Sequence, residues 1–241
     1  MTNTSQPGYR RRIRIEPRDG AVAAMLEDDM HCLAVILRHD GKRVISVESE
    51  THRMPWTTCP GAAAKLVETF AGLPLAEVTS RRDKKQNCTH LHDLAVLAAA
   101  HALDRAPLEY RISASDPVGG RRLLDLTGSN GLDLHWDEQD GVLAVPPSAA
   151  GIPLMALREW ISSLPEEHRE PARLLQWASL VAHGRTMPLE DQSNAAELPP
   201  NCYTFQPARA VLADRVGARY DFSNGSREPL SEIADGVVAR L

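Results

Sequence analysis

Cys88, His90 and His92 fall within one short stretch, Cys88-Thr89-His90-Leu91-His92. A thiol and two imidazoles suit three kinds of chemistry: proton transfer near neutral pH, nucleophilic attack and transition-metal ligation. Asn87, a good N-cap residue, precedes them, and an apolar run from Leu94 to Leu103 follows. The spacing predicts a helix over 88–103 with its reactive side chains on the first turn. There, free backbone N–H groups and the helix dipole favour negative charge. That setting predicts a partly ionised Cys88 beside a neutral His90. Cys88 and His92, four residues apart, share one helical face.

Other residues bear on the same site. Cys59-Pro60 opens a second predicted helix, over 61–71, where proline suits the first turn. If the two helix starts converge, their positive ends would stabilise an anion or an enolate. Glu48 and Glu50 end a strand-like segment and His52 follows them, so Glu48 and His52 are acid–base candidates. Trp56, Cys59, Cys88, His92 and His183 are candidate substrate contacts, His183 with a capping role at a helix end as its alternative. Asp28-Asp29-Met30-His31 reads as a polar turn able to ligate a cation. A zinc set of Cys59, Cys88, His90 and Cys202 has suitable ligand types but long spacing and no CxxC.

These residues define the expected function. It is cofactor-independent proton-transfer chemistry of the lyase, hydratase or isomerase type on a small, partly apolar or aromatic carboxylated molecule. Glu48 or His52 would be the base and His90 the acid or oxyanion donor. A non-enzymatic small-molecule binding protein and a zinc protein are the alternatives. No GxSxG, GxGxxG or GxxxxGK[ST] occurs, so hydrolase, dinucleotide and P-loop readings have no motif behind them.

The elements that must position these groups can be read from period and turn signals. Tyr9 to Glu16, Ala21 to Leu26, His31 to Arg38 and Arg43 to Glu50 read as strands, with turns at Asp19-Gly20 and His39 to Lys42. Arg10, Arg11, Arg12 and Arg14 read as an exposed strand face. Four further strands are expected over 108–115, 121–127, 132–137 and 141–145, with helices over 153–164 and 166–183. The fold class is therefore α+β: an antiparallel sheet packed against helices, with a second β-rich segment followed by two helices. Residues 1–8 read as a disordered leader and 9–241 as one domain. A recurring β-then-α order divides that domain into two pseudo-similar lobes, 9–104 and 108–241.

The chain has 241 residues, is 43% hydrophobic and 24% charged, and carries a net charge of -5. That balance argues against nucleic acid or an anionic membrane as partner. No apolar stretch is long enough to span a bilayer and no signal peptide is visible, which points to a cytoplasmic protein. Exposed sheet edges make a homodimer an expected assembly.

The ordered set of Val47-Glu48, Pro55, Cys59-Pro60, Leu66, Gly72-Leu73 and Cys88-Thr89-His90-Leu91 resembles the bacterial DUF2889 family. The Cys-Thr-His-Leu tetrapeptide is its most specific element. Asn201-Cys202-Tyr203 is similar to a late segment of that family. The resemblance covers about residues 9–104 well, 195–210 loosely and 108–183 little. It implies an architecture and treats the cysteines and His90 as one set. It implies no reaction, because the family is named for having no assigned function.

Overall fold

In the computed structural model, residues 6–82, 84–188, 193–216 and 219–241 are described. The expected leader lies mainly outside them. Eight strands form the antiparallel sheet that the alternating segments predict. The chain divides into two compact units, each assembled from separated segments.

The unit of Ile13–Leu108, Pro188–Arg219 and Leu230–Leu241 holds most of the candidate residues. It contains β2 (Ala21–Asp28), β3 (Cys32–His39), β4 (Val44–Arg53) and the second half of β1 (Gly8–Arg18). Their hydrogen-bonded order is β4-β3-β2-β1. Every residue of β2 is buried, although an antiparallel strand usually wets one face. The register explains this. Ala23 pairs with Ile36 and Met25 with Ala34, and these four form a cluster with Leu230, Ala234 and Val237 of the C-terminal segment, which includes a short helix (Ala234–Val238). The opposite parity meets α3 (Thr89–Ala100), which packs on both β2 and β3. Covered on both faces, β2 reads as a continuous apolar run.

Helix α3 is buried nearly all round, and Ala95, Ala98 and Ala99 let neighbouring backbones approach. It also packs against α1 (Ala62–Phe70) and α2 (Leu75–Ser80). The expected Asn87 cap is displaced by one residue, since Cys88 is the N-cap. Asn87 is buried instead. Its side-chain oxygen accepts the Thr69 hydroxyl at 3.1 Å and its backbone carbonyl accepts Tyr203 N–H at 2.8 Å.

The other unit, Met1–Arg12, Glu109–Met187 and Tyr220–Pro229, contains β5 (Leu108–Ser115, from Glu109), β6 (Arg121–Gly128), β7 (Asp133–Gln139) and β8 (Val142–Val145). With the first half of β1 their order is β1-β5-β6-β7-β8. The helices α4 (Arg158–Ser163) and α5 (Glu166–Thr186) follow. The expected exposed arginine face is corrected at Arg11, which is only 1% exposed. Period two puts Arg11 on the same face as Tyr9, and its guanidinium lies 4.4 Å from the Trp177 ring centroid, a cation–π contact that offsets part of the desolvation cost.

Candidate functional site

The site is built on the turn between β2 and β3. Asp28 N–H donates to His31 O at 2.8 Å. The Asp28 carboxylate oxygen Oδ1 accepts from Met30 N–H and His31 N–H, each at 2.8 Å, and lies 3.1 Å from His31 Nδ1. Asp28 is fully buried. Arg53, at the end of β4, holds this turn from outside. Its Nη2 donates to the Asp28 carbonyl and to the His31 carbonyl, and its Nη1 pairs with Glu27 at 2.9 Å. The polar turn read from the sequence is thus held by Arg53, with the Asp28 carboxylate against the His31 ring.

His90, on the first turn of α3, stacks on His31 with ring centroids 3.9 Å apart and an interplanar angle of 27°. Donor atoms of Asp28, His31 and His90 all lie within 4.8 Å of one another. Both histidines line a cavity of about 120 Å³. Leu33, Met54, Pro55, Trp56 and Phe205 supply its apolar wall, and Cys59, Cys88, Cys202, Thr89 and Thr204 the remainder with Asn201 and Tyr203.

The late segment closes this cavity through specific bonds. Tyr203 N–H reaches Asn87 O, the Gln206 amide donates to the carbonyls of Lys85, Pro200 and Cys202, and the Thr204 hydroxyl lies 3.3 Å from Cys59 Sγ. Gly61 sits so close to Tyr203 that a Cβ there would come within 2.7 Å of its hydroxyl. The two helix starts therefore meet one cavity, Cys59 from the 3-10 turn before α1 and Cys88 from α3.

The partly ionised Cys88 expected at a helix start is not favoured here. Burial pushes Cys88 up to about 12, outweighing the pull of the Leu91 and His90 backbone N–H groups. Burial also raises Cys59, against the hydrogen bond to Thr204, and Cys202, against the amides of Phe205 and Thr204. A helix N-terminus lowers a thiol pKa when the sulfur is wet. Here desolvation decides.

Of the sequence-derived candidates, His90, Cys88, Cys59 and Trp56 come together. Glu48 does not join them. It pairs with Arg38 at 3.3 Å and with Arg240 at the outer edge of β4. His52 is exposed and bonds Glu50 at 2.8 Å. His92 is fully buried with its ring against Phe70, and neither ring nitrogen has a hydrogen-bond partner among the described residues. His183 belongs to the other unit, where Nε2 meets Glu138 at 3.1 Å and Nδ1 lies 2.9 Å from Ser179 O. The expected zinc set is not the group within ligation reach. Among the described residues that group is Asp28, His31 and His90.

Sequence spacing points to His90 but not to its partners. Asp28 and His31 are visible as a polar turn, yet nothing in their spacing reports that the turn is buried beside α3. Thr204 and Phe205 carry no chemical signal beyond their place next to Cys202.

No curated protein and no solved structure matches the chain. Residues 11–104, which include Asp28, His31, Cys59, Cys88 and His90, match the family described as Protein of unknown function (DUF2889), and over that segment the chain resembles this family.

Proposed function

We propose that this protein is an enzyme of proton transfer acting on a small, largely apolar molecule held in the cavity, with His31 as base and His90 as its partner. The observation behind this reading is the Asp28–His31 pair beside the stacked His90 at the cavity wall. A carboxylate accepts hydrogen bonds and cannot donate, so Asp28 keeps the proton of His31 on Nδ1 and leaves the Nε2 lone pair available. The base removes a proton from carbon next to a carbonyl. The C–H electron pair moves into the carbonyl as an enolate, and the proton returns from the imidazolium to the carbon or to a neighbouring position. His90 and the positive end of α3, which meets the cavity at Cys88, Thr89 and His90, favour the developing negative charge. A cavity of about 120 Å³ is close to the engineered cavity of about 150 Å³ that admits benzene, so the buried part of the substrate is of about that size.

The test is proton exchange in D2O. Small ketones and carboxylic acids are incubated with the protein, and loss of C–H signals is followed by NMR. Exchange that disappears in H31Q and H90N, with folding intact, supports the reading. Ligands that bind with no exchange make the protein a binding protein instead.

A second reading is favoured by the mutual reach of Asp28, His31 and His90. Donors about 2.0–2.2 Å from one ion and at right angles lie about 3 Å apart, close to the Asp28–His31 separation of 3.1 Å. A divalent transition metal would fit two histidines and one carboxylate. Against it, Asp28 Oδ1 already accepts two backbone N–H groups. Stoichiometric metal in protein purified without chelator, lost in H90N, would replace the acid–base reading with a metal-assisted one.

A further inference from the structure

We propose that Arg215 is the carboxylate anchor of the cavity, so that the substrate is a small apolar acid whose hydrocarbon part enters the cavity and whose carboxylate stays at the rim. The inference rests on the cavity being a ligand site, and it adds the chemical class of the ligand.

The segment carrying Arg215 is fixed by backbone bonds to the cavity wall. Trp56 and Arg215 form a β-bridge, Val216 N–H donates to Pro55 O at 2.8 Å, and Thr57 N–H donates to Asp214 O at 3.0 Å. The guanidinium lies 5.3 Å from the centroid of the Trp56 ring, and Trp56 lines the cavity. A second wall residue, Cys59, feels the same charge, since Arg215 draws its thiol pKa down against burial. The cation therefore stands against Trp56, one residue behind the cavity lining.

Arg215 is half-buried, and no carboxylate pairs with it among the described residues. That is unlike Arg53, Arg121 and Arg185, each of which has an acidic partner. Burial, and then the nearby charge of Arg219, both disfavour its cationic form. A half-buried guanidinium with no carboxylate against it among the described residues carries a desolvation cost, which an incoming carboxylate relieves. Its planar fork matches a carboxylate with two parallel hydrogen bonds, and the Trp56 ring lies 5.3 Å from it. The apolar wall and the fork together select an amphipathic acid over a neutral molecule of the same shape.

The experiment measures binding of benzoate, benzamide and phenyl phosphate to the wild type, R215K and R215Q by titration calorimetry at constant ionic strength. Benzoate is expected to bind the wild type at least about tenfold more tightly than benzamide, the range for a charge-assisted hydrogen bond. R215Q should erase that preference, and R215K should keep only part of it. Equal binding of benzoate and benzamide by the wild type would overturn the proposal, as would an undiminished preference in R215Q. Tighter binding of phenyl phosphate than of benzoate would overturn the carboxylate assignment. In each of these cases benzamide binding shows that the cavity reading survives. If none of the three binds, the cavity reading falls and this inference with it. The wild-type comparison decides the matter even if R215Q fails to fold.

Discussion

His31 and His90 stack face to face at 3.9 Å between ring centroids, one held by a hairpin turn and the other by the first turn of α3. Only His31 is placed by its own local sequence. The turn fixes His31 through Asp28, while the packing of α3 on β2 and β3 brings His90 to it. The pair therefore exists only in the folded unit, and its chemistry can be probed ring by ring.

The tautomer of His31 is the most direct of these probes. With Asp28 accepting at 3.1 Å, the proton belongs on Nδ1. Nitrogen-15 NMR should report the Nδ1–H form in the wild type. D28A should lose that preference and lower turnover by about a hundredfold or more, whereas D28N, able to keep the two turn hydrogen bonds, serves as the folded control. An Nε2–H form in the wild type would remove His31 as the base.

The thiols give an opposite expectation. With Cys88 pushed up to about 12 and Cys59 and Cys202 also raised by burial, little thiolate exists at neutral pH. Iodoacetamide should modify these residues far more slowly in the native protein than in urea, as read by peptide mass spectrometry. C88A should keep turnover within a few-fold and cost about 1 kcal/mol of stability. Native Cys88 alkylating at the unfolded rate would show that α3 does activate it.

Arg53 should matter through position. It joins Glu27 to the carbonyls of Asp28 and His31, and Glu27 also accepts Leu230 N–H at 2.5 Å. R53M leaves the carboxylate of Glu27 buried without its cation and should cost about 3–5 kcal/mol in urea unfolding. R53M/E27L should recover part of that loss, because two apolar groups replace one stranded charge. A loss below about 1 kcal/mol in R53M would mean that the clamp is ornamental.

Much of the fold is legible because its signals are local. The turns at Asp19-Gly20, His39 to Lys42 and Asn130-Gly131, with alternating segments and the apolar runs of β2 and β3 between turns, mark the eight strands near their observed ends. The site is half legible. His90, Cys88 and Cys59 are marked by residue type at helix starts, but Glu48 and His52 sit close to Cys59 in sequence while β4 carries them to Arg240 and Glu50 instead. Burial is what the sequence hides. It decides that Cys88 is a neutral thiol, that Arg11 stacks on Trp177 and that Asp28 serves a histidine. Each depends on which element arrives from elsewhere in the chain.

The His183–Glu138 pair predicts a pH window in the other unit. The hydrogen bond to Glu138 raises His183 despite burial. Burial pushes Glu138 up, but the hydrogen bond from His183, with help from Ser179 and Arg122, more than reverses it. The histidine contribution is complete below its ordinary value of 6.5 and is lost as pH rises through the raised value. The glutamate contribution is present above 4.5 and is lost as pH falls through the lowered value. The destabilisation caused by H183Q should therefore be largest between about pH 4.5 and 6.5 and shrink above. A difference that grows toward alkaline pH in urea unfolding would contradict the pairing.

His92 separates structure from function most sharply. It shares the motif with His90, yet it is fully buried, its ring centroid is 5.0 Å from that of Phe70, and both ring nitrogens go without hydrogen bonds among the described residues. Asp93 Oδ1 stands 3.7 Å from Nδ1, too far to satisfy it. A buried imidazole without partners costs about 1–3 kcal/mol relative to an apolar side chain that fills the same space. H92F should therefore be neutral or stabilising by up to about 2 kcal/mol, with ligand binding and proton exchange retained, whereas H90F should keep the fold and abolish exchange. If H92F keeps the fold yet loses exchange, His92 takes part in the reaction, and the motif works as a pair.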